Sequence, residues 1–146
     1  MGRVADVLRI KGSEVFTISA DQSVYEAIVS MVEHKVGALL VLTVGKPSGI
    51  VTERDYLREV AVRGRTSRET LVEEIMTREV VVVDSSRSIE ECMAIMTARR
   101  IRHLPVVDDG RLSGLISIGD LVKRRVKEQD VELQYLTDYI TGKYPA

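Results

Sequence analysis

The chain has 146 residues, 45% apolar and 29% charged, enough for one ordinary domain with a real core and too apolar for a disordered polymer. Its 21 Lys and Arg stand against 22 Asp and Glu, which leaves no basic field to hold nucleic acid or an anionic membrane. No apolar run reaches the roughly 18 residues of a membrane-spanning helix, and "MGRVADVLRI" lacks the apolar stretch of a signal peptide. One cysteine, Cys92, cannot close an internal disulfide and fits a reducing compartment, so a cytoplasmic protein is expected.

In chain order, "VFTI" from Val15 is a short β-rich run, and Ser23 then caps a helix. Val24, Ala27, Ile28, Met31 and Val32 recur at helical spacing along it, and His34 closes it as a solvated cation. "GALLVL" is a buried-type strand, "TVGKPSG" a hairpin loop with glycine, and "GIVT" the return strand. "ERDYLREVAV" is helical and the polar "RGRTSRET" reads as a linker.

The same order then repeats. "VVVV", the helix capped by Ser88 with Ile89, Cys92, Met93 and Met96 inward, "HLPVV", "DDGRLSG", "GLIS" and the helix "IGDLVKRRVKEQ" follow. Val15–Leu57 matches Val80–Val122 without a gap at an offset of 65 positions, and "ADVLRI" resembles "VEEIMT" upstream. Each half reads β-α-β-β-α. Either half alone, about 50 residues, would bury too little surface, so the halves are expected to form one module, sheet against sheet about a pseudo-twofold axis. Expected boundaries are 1–64 and 65–130 for the repeats and 131–146 for a helical extension. Cys92 and the methionines read as core, "KRRVK" as a solvated basic face, and Pro105 as an edge position or strand start. Leu133, Leu136 and Ile140 give the extension an apolar face suited to a second subunit.

Each repeat closes on glycine, three β-formers ending in a hydroxyl, two variable positions and an aspartate: "GIVTERD" with Thr52 and Asp55, "GLISIGD" with Ser117 and Asp120. An ionised carboxylate accepts hydrogen bonds only, which suits the two hydroxyls of a ribose. The hydroxyl stands at a strand-to-helix junction whose free N–H groups favour phosphate. The alternative is purely structural: the spacing nearly matches a helix capping box. No metal-ligand spacing, Walker loop or G-x-G-x-x-G run appears, so the expectation is a non-enzyme.

A β-α-β-β-α repeat ending in this motif resembles the CBS domain, and two in tandem resemble a CBS pair, or Bateman module, an α/β (α+β) fold. "GIVTERDYLR", "RIRHLPVVDDGRLSGLISIGDLVK" and "YITGKY" are similar to stand-alone single-pair proteins of bacteria and plant organelles. The resemblance implies a regulatory module that binds AMP, ADP, ATP, S-adenosylmethionine or NAD(H) with no catalytic cofactor, forms a homodimer and signals to a further protein. The alternative is a dimerisation scaffold without a ligand. The implied site is Thr17, Ile18, Gly37, Ala38, Leu39, Thr52, Arg54 and Asp55 in the first repeat. In the second it is Val82, Val83, Arg102, His103, Leu104, Pro105, Ser117, Ile118, Gly119 and Asp120. Arg54 and Arg102 would hold phosphate oxygens, with His103 gaining charge as pH falls toward about 6.5.

Overall fold

The computed structural model describes residues 2–140; side chains beyond Gln129, Gln134 excepted, are outside that description. Helix α1 (Val4–Lys11) leads into β1 (Thr17–Ser19), α2 (Val24–His34), β2 (Ala38–Thr43), β3 (Lys46–Thr52) and α3 (Glu53–Tyr56), which widens into a π-helical turn, Leu57–Ala61. Helix α4 (Val72–Ile75), α5 (Ile89–Arg99), β4 (His103–Asp108), β5 (Arg111–Ser117) and α6 (Ile118–Ile140) complete the described chain. This is the mixed α/β order the repeat predicts.

The chain divides into two compact units, one of residues Glu14–Val81, the other joining the segment up to Ser13 to the chain from Val82 onward. In these units α1 precedes the first repeat in sequence but belongs with the second. The cause is local. Val4 and Val7 are buried, and α1 is tied by Val4 N–H to Arg87 O (2.9 Å) and Ala5 N–H to Ser85 O (3.0 Å). The residues assigned to a linker do the same for the other unit, where Val24 N–H reaches Thr70 O at 2.8 Å and Tyr25 N–H reaches Ser67 O at 3.0 Å.

In the first-repeat unit β1 pairs parallel with β2, and β2 antiparallel with β3. Ile18, Val24, Ala27, Met31, Leu39, Val41, Val51, Val60 and Val72 form its core, as the helical and strand periodicities require. In the other unit β4 and β5 pair in the same register, down to an irregularity at the corresponding place, Val41/Leu42 and Val106/Val107. Its buried residues include Val83, Ile89, Cys92, Met96, Leu104, Val106, Ile116 and Leu121. The expected strand "VVVV" is cut to a single bridge, Val83 to Val106. Pro105 explains this. Its counterpart Leu40 donates its N–H to Phe16 O at 3.1 Å, and proline has no N–H to offer the equivalent residue, Val81. Pro105 lies third in β4, with its missing donor toward that weakened edge, rather than at the strand's start.

The extension expected at 131–146 continues α6 without a break to Ile140. The proposed contact side chains Leu133, Leu136 and Ile140 lie outside the described residues. Among the described residues no helix is long and apolar enough to cross a membrane.

Candidate functional site

Why glycine opens each motif is answered by packing. A Cβ on Gly49 would stand 2.6 Å from Thr77 O, the carbonyl that accepts Ile50 N–H at 3.0 Å; one on Gly114 would stand 2.6 Å from Leu8 Cδ2 of α1. The segment leaving α4 lies against the return strand of one unit and α1 against that of the other, and at Gly49 the contact is with backbone, which leaves no room for a side chain.

The hydroxyl and carboxylate form the capping box. Thr52 Oγ1 accepts Asp55 N–H at 3.1 Å, while Asp55 Oδ2 accepts Thr52 N–H at 2.9 Å and the Thr52 hydroxyl at 3.1 Å. Ser117 Oγ accepts Asp120 N–H at 3.1 Å, and Asp120 Oδ2 accepts Ser117 N–H at 2.8 Å. Oδ1 of each aspartate receives no hydrogen bond from the described residues. Capping thus occupies one carboxylate oxygen and leaves the other as an acceptor.

Around each cap the strand ends converge. Ala38 faces Thr52 across β2–β3, and Glu53 N–H donates to Gly37 O at 3.0 Å. His103 faces Ser117 across β4–β5, and Ile118 N–H donates to Arg102 O at 2.8 Å. Thr17 and Val82 are exposed while Ile18 and Val83, one residue on, are buried in the core, as are Ala38, Leu39, Leu104 and Pro105. Arg54 and Arg102 are exposed, and the side chain of neither makes a hydrogen bond or ion pair among the described residues. Gly119, like Arg54, lies exposed in the first turn after the hydroxyl.

The two carboxylates differ in environment. Burial pushes Asp55 above the ordinary carboxylate range, more than the Thr52 hydrogen bonds lower it. Burial also raises Asp120, but hydrogen bonds from Lys11 and Ser117 outweigh it and hold the group below that range. Lys11 Nζ lies 2.6 Å from Asp120 Oδ2 and 2.6 Å from Leu115 O. The repeat alignment gives no hint of this residue, because it comes from a helix 109 positions away in sequence. His103 is overturned as a charge source near pH 6.5: burial, with Lys11 beside it, pushes it down to about 4.

Other candidates resolve structurally. Cys92 is fully buried, its thiol pushed up to about 11 by burial, as a small core residue. His34 stacks on Phe16 with ring centroids 3.9 Å apart. In the basic run, Arg125 pairs with Glu90 at 2.9 Å and Arg124 with Glu128 at 3.1 Å. No group of three His, Cys, Asp or Glu among the described residues is placed to hold a metal ion. Beside Gly37 and Glu53 a groove of about 520 Å³ opens along α2, lined by Ile28, Val32, Val36 and Leu57.

The CBS domain model matches residues 4–62 and 72–127. The chain is 42% identical to the mitochondrial CBS domain-containing protein CBSX3 of Arabidopsis thaliana, over 97% of this chain and 73% of that protein. It is 33% identical to the CBS domain-containing protein YhcV of Bacillus subtilis, over 80% and 83%. Among solved structures it resembles a CBS-domain protein of Burkholderia ambifaria assigned to signal transduction, 50% identical with a TM-score of 0.84, over 88% of this chain and 96% of that one.

Proposed function

Because the chain belongs to the CBS domain family, with two repeats in tandem, we propose that it is a regulatory module that binds an adenosine nucleotide (AMP, ADP, ATP or NAD(H)) and passes the bound state to a partner protein. The observation that carries this reading is the duplicated cap: in each unit a carboxylate keeps Oδ1 open at a strand-to-helix junction, beside an exposed and unpaired arginine, Arg54 or Arg102. The carboxylate suits a ribose diol and the guanidinium fork suits phosphate oxygens.

Calorimetry tests this with AMP, NADH and adenosine. Asp55→Asn and Asp120→Asn keep an acceptor for the cap and remove the charge. Each is expected to weaken nucleotide binding by about tenfold at one site. Arg54→Ala and Arg102→Ala are expected to weaken AMP by about tenfold and adenosine little; equal losses would remove the phosphate role. A scaffold without a physiological ligand is the second reading, favoured by the fact that the caps already give both carboxylates a structural task. It predicts no heat with any of the three compounds. A homodimer is part of the proposal in either case, supported by the exposed Val32 and Leu57 on the groove along α2; light scattering showing a monomer would remove it.

A further inference from the structure

The two caps close on different donors. A carboxylate oxygen has two lone pairs to offer. In the first repeat Thr52 fills both on Asp55 Oδ2, with its N–H at 2.9 Å and its hydroxyl at 3.1 Å. In the second repeat Ser117 N–H takes one on Asp120 Oδ2 at 2.8 Å, and Lys11 Nζ takes the other at 2.6 Å. The ammonium thus does for the second cap what the hydroxyl does for the first. A hydroxyl has one hydrogen to give. That of Thr52 is spent inside its own cap. That of Ser117 meets no acceptor among the described residues; the Ser117 oxygen only accepts, from Asp120 N–H at 3.1 Å.

Lys11 is held to this task by packing. It ends α1, and its ammonium also donates to Leu115 O on β5 at 2.6 Å. The helix itself is fixed to the same unit by the N–H groups of Val4 and Ala5, and Leu8 lies against Gly114. The first-repeat unit has no such arrangement. The residue that follows the matching segment "VEEIMT" is Arg78, and its guanidinium donates to Glu73 O of α4 at 3.0 Å. No Lys or Arg is paired with Asp55 among the described residues, and the hydroxyl closes that cap instead.

We infer that Lys11 is a positioning residue of the second site: by closing the cap on Asp120 Oδ2 it releases the Ser117 hydroxyl as a donor to a ligand phosphate, so that the second repeat distinguishes AMP from adenosine more sharply than the first. This rests on the nucleotide reading above. The physical basis is the difference between a free donor and a committed one. An uncommitted O–H gains a charge-assisted hydrogen bond when a phosphate oxygen arrives. A hydroxyl already donating to a carboxylate must surrender that bond first, and the exchange nets little. Ser117 ends β5 half-buried, and its neighbour Ile118 donates its N–H to Arg102 O at 2.8 Å, so the released hydroxyl belongs to the same strand end as the exposed Arg102. Oδ1 of both aspartates stays available to the ribose throughout.

Titration of the full chain with AMP and with adenosine, followed by NMR, reads the two sites separately. His103 faces Ser117, so its ring resonances report on the second cap, and the backbone amides of Thr52 and Asp55 report on the first. The preference for AMP over adenosine should be about tenfold greater at His103 than at Thr52 and Asp55. Ser117→Ala should remove that difference. In Lys11→Met, which keeps the apolar stem, the Ser117 hydroxyl turns back onto Asp120, so AMP should weaken about tenfold at His103 while adenosine changes little. The retained adenosine response also shows that this variant is folded. Lys11→Arg, which keeps a donor for Oδ2, should behave as wild type. The deciding protein is the double variant: because Lys11 acts through the hydroxyl, Lys11→Met should add nothing to Ser117→Ala. A further loss of AMP in the double variant would show that the ammonium meets the phosphate itself, and overturns the inference. Equal preferences at the two caps of the wild type overturn it too, as does a Lys11→Met protein that loses AMP and adenosine alike or loses neither. If neither cap of the wild type responds to adenosine or AMP, the nucleotide reading itself fails, and the inference with it.

Discussion

Lys35 and Arg100 adopt φ of 55° and 56°, and Val44 and Asp109 both adopt 51°, so among the described residues the positive-φ residues other than glycine fall in two pairs one repeat apart. The first pair ends α2 and α5 in the left-handed conformation, with N–H groups turned back onto Met31 O and Met96 O. The second pair opens the hairpin turns, where two successive positive φ values match the twist of the strands. Asp109 tolerates that conformation, but Val44 is β-branched and 96% exposed, so it bears the steric cost without any burial in return. Val44→Asn is therefore expected to stabilise the protein by about 0.5–1 kcal/mol, seen as a higher urea midpoint at unchanged slope. A lower midpoint would show that Val44 has a contact in the assembled protein. At this scale the sequence reveals much, since "DDG" beside "TVG" announces the turn and T-x-x-D announces the cap. Lys11 stays hidden because its partner is set by tertiary packing, which no local pattern encodes.

Among the elements, the repeat made both hairpins and the long helices legible because their hydrophobic periods are intact. The strand counterpart of β1 was not, because four valines in a row promise a strand whatever their neighbour can donate. The decisive fact, a proline on the partner strand, lies 24 residues away and acts by subtracting one N–H. The short helices α1 and α4 were hard to assign for a related reason: each is stabilised by the unit it joins, not by its own length. The contacts around them make the two motif glycines unequal in a way that can be measured. Alanine at Gly49 would meet the backbone oxygen of Thr77, which can yield only by moving α4's exit and losing the bonds to Ile50. Alanine at Gly114 would meet the end of the Leu8 side chain, which can rotate aside. Gly49→Ala is expected to cost about 2–3 kcal/mol and Gly114→Ala about 1 kcal/mol or less in equilibrium denaturation. Equal costs would mean that α1 is as rigidly held as the segment at Thr77.

Across the whole molecule, the near-zero net charge makes the acid response depend on a few buried groups rather than on general repulsion. His103 has its folded value lowered to about 4 by burial, then by Lys11 and Arg102, against the opposing pull of Asp120. The unfolded chain therefore binds the extra proton from about pH 6.5 downward while the folded chain refuses it until about pH 4. Stability from this group is complete above pH 6.5 and is lost between those values, with an upper bound of about 3 kcal/mol. Asp55 has the opposite sign. Its folded value is raised, so the folded form takes up a proton before the unfolded one, and stability grows as pH falls through that raised value toward 3.8. Asp120, lowered overall, keeps its contribution until the pH drops below 3.8. One group in each unit thus tilts the stability curve in opposite directions. His103→Asn, measured by urea denaturation at pH 7, 6, 5 and 4.5, is expected to flatten the decline seen in the wild type. Asp55→Asn is expected to steepen it, because the compensating proton uptake is gone. If the units unfold together, both changes appear in one transition; if they unfold separately, each variant alters only the transition of its own unit. A wild-type curve that stays level from pH 7 to 4.5 and does not respond to His103→Asn would show that the imidazole reaches water in solution.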